Sequence, residues 1–327
     1  MKLHLSATNM WLGMTPDIDS ALVIDLIPVD CPLVSLNGGE QIPAAFSDIK
    51  SNTKLERLMA LLEPLVEQQL AEKKIDFATT PVFWLLPELT IQDNTPLLEW
   101  GAALKKRFPS LFTHPKSQFF PFGRSAFAMS LSAMSVLFEQ QMTKQVCVIA
   151  LDSLYHELEN LVATSACITA KSAAGLIPSE GAIMTCISAV AESEEGMRVL
   201  FNASERATQE QSTHAIDSLF YQVANTLNNN TLHAPISTFY APGNGQTENV
   251  APWLNAYVHL HPHIDKNTQL KQMAMLTGEL GCVTGLFNFL HVYHAYQNQS
   301  LTGITLQLDV SERLYQAVNL YSWTGKD

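Results

Sequence analysis

The stretch QFFPFGRSAFAMSLSAMSVLFEQQMTKQVCVIALDS (118–153) decides how the rest of the chain is read. It opens on aromatic residues, turns around Gly123, runs on through small and apolar residues at 124–142, and ends in the apolar segment 146–153. The middle part predicts a small-residue helix, and the end predicts a strand buried on both faces. A second stretch, LTGELGCVTGLFNFL (276–290), is a glycine-punctuated turn that leads into an apolar helix.

Outward from these stretches, strand and helix patterns alternate. TPVFWLLPE (80–88) is an almost continuous apolar run between a turn and a proline, which predicts a doubly covered strand. Before it, Ser51, Asn52 and Thr53 start a predicted helix over 51–73, with Leu55, Leu58, Met59, Leu62, Leu65 and Leu70 at helical spacing. Pro64 is expected to kink or divide that helix. LVIDLIPVD (22–30) reads as a strand, Gly38 and Gly39 as a turn, and 95–107 as a helix. In the second half, strands at 184–190, 235–242, 257–261 and 303–310 alternate with helices at 207–228, 249–257 and 280–297, and Asn228, Asn229 and Asn230 read as a polar loop. This order predicts an α/β fold with its sheet covered on both faces. Because the halves repeat it, a pseudo-duplicated architecture follows, with halves at 1–175 and 176–327.

Composition narrows the function. The 327 residues are 47% apolar, enough for a large core. Charged residues make up only 15% and mean hydropathy is +0.06, which favours one face being buried in an oligomer. A net charge of −12 and a pI near 5.2 argue against nucleic acid or an anionic membrane as partner. The basic run Lys105, Lys106 and Arg107 falls at a predicted helix end, where cations complement the dipole. Cys31, Cys147, Cys167, Cys186 and Cys282 are odd in number and mostly set in apolar runs, the pattern of reduced, buried thiols. There is no secretory h-region and no apolar run of the ~18 residues a spanning helix needs, so the expected location is the cytoplasm.

Four segments together carry a family resemblance. FWLLPE (83–88), GRSAFAMSLSAM with VCVIALDS, GLIPSEGAIMTCIS (175–188) and GELGCVTGLFNFL (278–290) resemble, in order and spacing, the β-ketoacyl synthase branch of the thiolase-like superfamily. The third has Ser179 where the family usually has a second glycine. The resemblance spans residues 80–290 and implies a five-layered α/β/α/β/α fold made of two similar halves, usually as a dimer.

It does not imply the family's activity. Condensing enzymes carry an acyl group on a cysteine thiolate activated at a helix start. A gapless match puts Ser125 at that position, and a helix dipole cannot ionise a serine hydroxyl. Ser125 reads either as an N-cap or as a nucleophile. The first catalytic histidine position, opening the turn after ISTFY, reads Pro242, which neither donates a proton nor polarises a thioester. The second reads Glu279, whose charge opposes an enolate or oxyanion. All three changes work against decarboxylative condensation.

Other chemistry finds less support. Cys167 in TSACIT resembles a nucleophile motif by letters but follows the VCVIALDS strand, on the wrong side for this family. His259, His261 and His263 alternate as on a strand face, yet Pro262 interrupts them and no metal is expected. His291 and His294 share a helix flank within reach of a carboxylate such as Glu279. Gly243 and Gly245 lack the Lys-Ser/Thr of a phosphate loop, so no cofactor is expected. Asp152 and Ser153 lack a Gly-x-Ser-x-Gly elbow.

The expected function is a degenerate ketoacyl-synthase-like protein in fatty-acid or polyketide-type acyl metabolism. It would act as a homodimer or as a heterodimer with an active ketosynthase, with an acyl carrier protein as a further partner. Two alternatives stand beside it: an acyltransferase or hydrolase with Ser125 as acyl acceptor, and an acyl-chain binding protein. Phe108, Phe112, Phe119, Phe120 and Phe122 crowd the segment before the turn, and the expected dimer contact lies around 108–140.

Overall fold

Side chains alternate along the strand Gln145–Ser153 between two cores. Val146, Val148 and Ala150 join one, and Cys147, Ile149 and Leu151 join the other. In the computed structural model the described residues are all except 14–16, 25–30, 37–38, 40, 90–94, 171, 209–210, 230–233, 247–249 and 326–327.

The first set of elements is β1 (Lys2–Leu12), α1 (Ile18–Leu22), the small strands β2 (Leu33–Ser35) and β3 (Gln41–Pro43), α2 (Lys54–Glu72), β4 (Val82–Leu85), α3 (Thr95–Arg107), β5 (Gln118–Phe120), α4 (Ala126–Glu139), β6 (Gln145–Ser153), α5 (Leu158–Ala163) and β7 (Glu180–Ala189). The second set is β8 (Gly196–Arg206), α6 (Ser212–Asn229), β9 (Ile236–Tyr240), α7 (Ala251–Ala256), β10 (Gln269–Lys271), α8 (Ala274–Thr277), α9 (Val283–Gln297), β11 (Ile304–Val310) and β12 (Tyr315–Thr324).

Among the described residues the larger sheet has ten strands in the order β10-β9-β11-β12-β8-β1-β7-β6-β4-β5. Each half of that order has the same logic. β4 pairs in parallel with β5 and β6, and β6 pairs antiparallel with β7, which pairs antiparallel with β1. Likewise β9 pairs in parallel with β10 and β11, and β11 pairs antiparallel with β12, which pairs antiparallel with β8. The halves meet where Lys2 and Leu3 of β1 face Arg198 and Met197 of β8. The expected division at 175/176 falls ahead of β7, whose hydrogen-bonded neighbours β6 and β1 both belong to the first half, so the repeat in topology changes over between β7 and β8.

Three apolar clusters give five layers. α2 and α3 cover one face of the first half through Leu58, Leu62, Leu65 and Leu104, packed with Trp84 and Met184. α6 and α7 cover one face of the second half through Leu219, Phe220, Val223 and Trp253, packed with Leu306 and Val318. Between the two halves lie α4 and α9, which bring Phe127, Leu131, Leu286 and Phe289 into the central cluster. Both central helices touch strands of both halves. The fold is the five-layered α/β/α/β/α arrangement of two similar halves.

Several expected elements differ. α2 runs unbroken through Pro64, because its Leu58, Leu61, Leu62, Leu65 and Val66 face packs on the sheet and outweighs the missing N–H. Its start is capped both ways: Thr53 Oγ1 accepts from Glu56 N–H at 3.2 Å, and the Glu56 carboxylate accepts from Asn52 N–H at 2.9 Å. Of the strand expected at 22–30, Leu22 closes α1 and residues 25–30 lie outside the described residues. The strand expected at 257–261 is a 3₁₀ turn, Tyr257–His263, that continues α7 and buries Leu260, so His259, His261 and His263 do not alternate on a strand face. α6 extends over Asn228 and Asn229, where a loop was expected. The aromatic residues before the turn pack in part on the chain itself: Trp84 stacks on Phe112 at 5.1 Å, Phe83 meets Phe120 at 4.9 Å, and Phe122 meets Tyr315 at 4.8 Å, with Phe112, Phe119 and Phe122 half-buried.

Pro64 is exposed in mid-helix, where a proline costs about 3 kcal/mol relative to alanine. Pro64→Ala is expected to raise unfolding stability by about 1–3 kcal/mol in urea titrations; an unchanged or lower midpoint would show that the native helix had already absorbed the cost.

Candidate functional site

α4 begins with a turn at Gly123–Ser125, and α9 begins just after Gly278–Cys282. The two turns are forced together by Gly285, at which a Cβ would lie 2.6 Å from the Arg124 carbonyl oxygen. Gly281 has φ +57°, and a Cβ there would lie 2.0 Å from an Asp152 carboxylate oxygen, so only glycine fits. The Asp152 carboxylate in turn accepts from the Cys282 N–H at 2.9 Å and pairs with Lys54 at 2.8 Å.

The side chain that reaches the junction is Arg124. Its Nε and Nη2 donate to the two oxygens of Glu279 at 3.0 and 2.7 Å, a two-pronged ion pair between side chains 8% and 2% exposed. Nη1 donates to the Val310 carbonyl at 3.1 Å. Glu279 also accepts from the Asn244 amide at 2.7 Å and from the Gly281 N–H at 2.9 Å. Burial alone would raise the Glu279 carboxyl, but the Arg124 charge and these donors outweigh it and hold it below the ordinary carboxylate range.

Ser125 is fully buried and faces the other way. Its hydroxyl lies 2.9 Å from the Tyr315 carbonyl and 3.1 Å from the Asp309 carbonyl, and donates its one hydrogen to them; its N–H donates to Ser311 Oγ at 3.0 Å. It makes no side-chain cap bond within α4. Pro242 lies beside Arg124 and Glu279, at the edge of a small internal cavity. The structure therefore gathers Pro242 and Glu279 with Arg124, while the Ser125 side chain ties α4 to β11 and β12.

Arg124 and Glu279 form part of the wall of a larger cavity of about 400 Å³. The rest of its charge comes from Lys54, Glu88, Asp152, Glu157, Glu312 and Arg313. Lys54 bridges Asp152 and Glu157, and Glu88 accepts the N–H groups of Arg313 and Leu314 at 3.0 Å each. Trp100, Leu154, Leu161 and Leu176 supply the apolar wall.

The remaining candidates sit elsewhere. Cys167 is buried beside the close turn at Gly175, and burial pushes its thiol up to about 11. His291 contacts the Tyr240 hydroxyl at 2.7 Å and the Ile24 carbonyl at 2.8 Å, and His294 contacts Asn298. His259 pairs with Asp217. Ser153 donates to Glu180 at 2.6 Å, and Glu180 is clamped by the buried guanidinium of Arg57. Among the described residues no group of three or more His, Cys, Asp or Glu could hold a metal ion, and no helix is long and apolar enough to cross a membrane.

Sequence comparison with protein-family models and with curated proteins finds no match. Structural comparison does find matches. The ishigamide ketosynthase/chain length factor is 13% identical, with 99% of this chain and 100% of that chain covered at a TM-score of 0.67. A type II PKS acyl-carrier protein in complex with its ketosynthase, AntDE:AntF, gives 9% identity, 98% and 99% coverage and a TM-score of 0.69. OleA of Xanthomonas campestris gives 10% identity, 99% and 98% coverage and a TM-score of 0.59. The chain has the thiolase-like fold of ketosynthases.

Removing one partner of a buried pair leaves the other charge uncompensated, at a cost of about 3–5 kcal/mol. Glu279→Ala and Arg124→Ala are each expected to lose that much, whereas Arg124→Met combined with Glu279→Leu recovers most of it. Chemical denaturation of the three variants checks this, and equal losses in single and double variants would mean that the pair itself is not what holds the junction.

Asp309, 2% exposed beside Arg124, behaves oppositely to Glu279. Burial pushes its carboxyl from 3.8 up to about 7, opposed by the Gln307 amide and the Arg124 charge. Between those pH values the folded chain keeps a proton that the unfolded chain has released, so this group lowers stability as pH rises through the window. Asp309→Asn is expected to gain stability relative to the native chain by up to about 4 kcal/mol more at pH 8 than at pH 4, at about 1.4 kcal/mol per unit. A pH-independent difference between the two unfolding curves would refute it.

Proposed function

We propose that the protein is a ketosynthase-like subunit without condensing activity, which works in acyl-chain metabolism as the partner of an active ketosynthase or of a second copy of itself. The observation that carries this reading is the Arg124–Glu279 ion pair. It places two charges that neutralise each other at Glu279, where the resemblance puts an imidazole, and at Arg124, the neighbour of the thiolate position Ser125. Neither can serve as the nucleophile or the proton donor of a condensation. Pro242 at the other histidine position adds no proton-transfer group, and the Ser125 hydroxyl is turned to backbone carbonyls. The positions Ser125, Pro242 and Glu279 are thus read as degenerate catalytic positions.

The partner role rests on the company the fold keeps. The ishigamide protein is described as a ketosynthase/chain length factor, and AntDE:AntF as an acyl-carrier protein in complex with its ketosynthase. A chain that keeps such a fold across 98–99% of its length while its centre is occupied by a salt bridge fits the accessory side of such an assembly. An acyl carrier protein is a further partner in this reading, and the compartment is the cytoplasm.

Native mass spectrometry of the protein in extract of its own cells tests the partner: a complex with a ketosynthase or a dimer of the chain is expected, and a strict 36.1 kDa monomer would overturn the reading. For the chemistry, Ser125→Cys is expected to give no carbon–carbon bond formation with a malonyl carrier thioester, because the two imidazoles are still missing and their joint loss costs several powers of ten. Intact-mass analysis after incubation with acyl thioesters is expected to show no adduct on the native chain. An acyl-Ser125 species would instead establish the acyltransferase reading.

A further inference from the structure

Beside the Arg124–Glu279 pair lies a second, smaller cavity bounded by Thr284 and Asn288 of α9, Asp309 of β11, and Pro242. Its free space is about 10 Å³ when measured as room for the centre of a water molecule. Arg124 and Glu279 line both this chamber and the large outer cavity, so the ion pair is the partition between them. Two side-chain atoms in the chamber wall, Thr284 Oγ1 and Asn288 Oδ1, are buried and have no hydrogen-bond partner among the described residues. Their residues are 9% and 4% exposed.

We propose that this chamber is a built hydration site that binds one ordered water molecule between Thr284, Asn288 and Asp309. The inference stands apart from the proposed function, since it concerns what the wall binds and not whether the chain condenses acyl groups. Size comes first: a space of this measure is about one water and excludes any organic ligand. Charge comes next. The Arg124 and Glu279 charges on the wall are paired with each other, so neither calls for a counter-ion in the chamber and the guest is neutral. Hydrogen-bonding capacity then chooses among neutral guests. The Asn288 oxygen only accepts, so the guest must donate; the Thr284 hydroxyl both donates and accepts; and the Asp309 carboxyl, already bound by the Gln307 amide at 2.8 and 3.1 Å, retains capacity for one more bond. Water donates twice and accepts twice, which matches all three.

The alternative is a dry chamber, and the two make opposite demands on Thr284. In a dry chamber the hydroxyl is an unsatisfied buried group, and its replacement by an isosteric apolar side chain removes a penalty. In a hydrated one the same change strips the water of a partner. Valine and threonine have similar helix propensities, so the helix itself is nearly neutral to the exchange. Thr284→Val is therefore expected to lower the folding equilibrium constant about tenfold, and Thr284→Ser, which keeps the hydroxyl, is expected to lose less. A folding constant that is unchanged or raised in Thr284→Val overturns the proposal. High-resolution diffraction from the native protein gives the independent reading. Density for one water within hydrogen-bond distance of at least two of the three side chains supports the site, and an empty chamber, or one that takes up xenon under pressure, overturns it.

Discussion

The close contact between the starts of the two central helices constrains the rest of the structure. Gly285 near the start of α9 lies against the Arg124 carbonyl that leads into α4, with no room for a side chain. A helix sandwiched between two halves of a sheet must be apolar or small on nearly every side. α9 buries all its residues from Val283 to Val292, and α4 keeps alanine and serine where the strands come near. Once the helix starts are pinned together, the turns ahead of them meet as well. Glu279, only 2% exposed, then needs a cation, and Arg124 is the cation that the facing turn supplies. The ion pair follows from the helix crossing.

The sequence made the layered parts of the fold legible. Doubly covered strands such as β4 and β6 and helices with wide apolar faces such as α2 and α6 announce themselves through composition and period. Their order carried the two-half architecture, and four glycine-marked segments carried the resemblance. The long antiparallel strands β1, β8 and β12 were silent. Their letters mix polar and apolar residues, and β1 is broken by a register shift between Ser6 and Asn9 with Ala7 at φ +50°, so no clean alternation survives. The 3₁₀ turn at Tyr257–His263 misled for the opposite reason: its histidines alternate in the letters, but the backbone there does not have a period of two.

The two turns were legible in the sequence, and the Arg124 side chain that joins them was not. Matching letters along a helix locates the turn to within a residue, yet one residue of offset decides which side chain enters the cavity. Gly123, with φ +58°, and the 3₁₀ turn after it rotate Arg124 toward Glu279 and Ser125 toward the ends of β11 and β12. A polar residue at a helix start reads as a cap or as a nucleophile, and here its hydroxyl makes no cap bond within its own helix. A signal for Arg124 did exist. A lone arginine inside an otherwise uncharged run at 118–138 needs a buried partner, and Glu279 inside an otherwise uncharged run at 276–290 needs the same. Two unmatched opposite charges in two buried stretches point to each other from the sequence alone.

Most of the charged groups around the outer cavity hold segments together. Lys54 joins α2 to the end of β6 through Asp152, Asp152 holds the first turn of α9 through the Cys282 N–H, and Glu88 holds the β11–β12 turn through two N–H groups. An active centre keeps at least one group uncommitted and tuned, so that a proton or an electron pair can move without breaking the fold. Here moving a proton onto Glu279 would leave Arg124 only the more distant Glu312 carboxylate, at 3.5 Å, as counter-charge, at a cost of about 3–5 kcal/mol. The same charges make the cavity unreceptive to anionic thioesters, since Glu88, Asp152, Glu157, Glu279 and Glu312 outnumber Lys54, Arg124 and Arg313 on its wall. A centre built this way stabilises the junction of the two halves, since these ion pairs and N–H contacts join segments far apart in the chain.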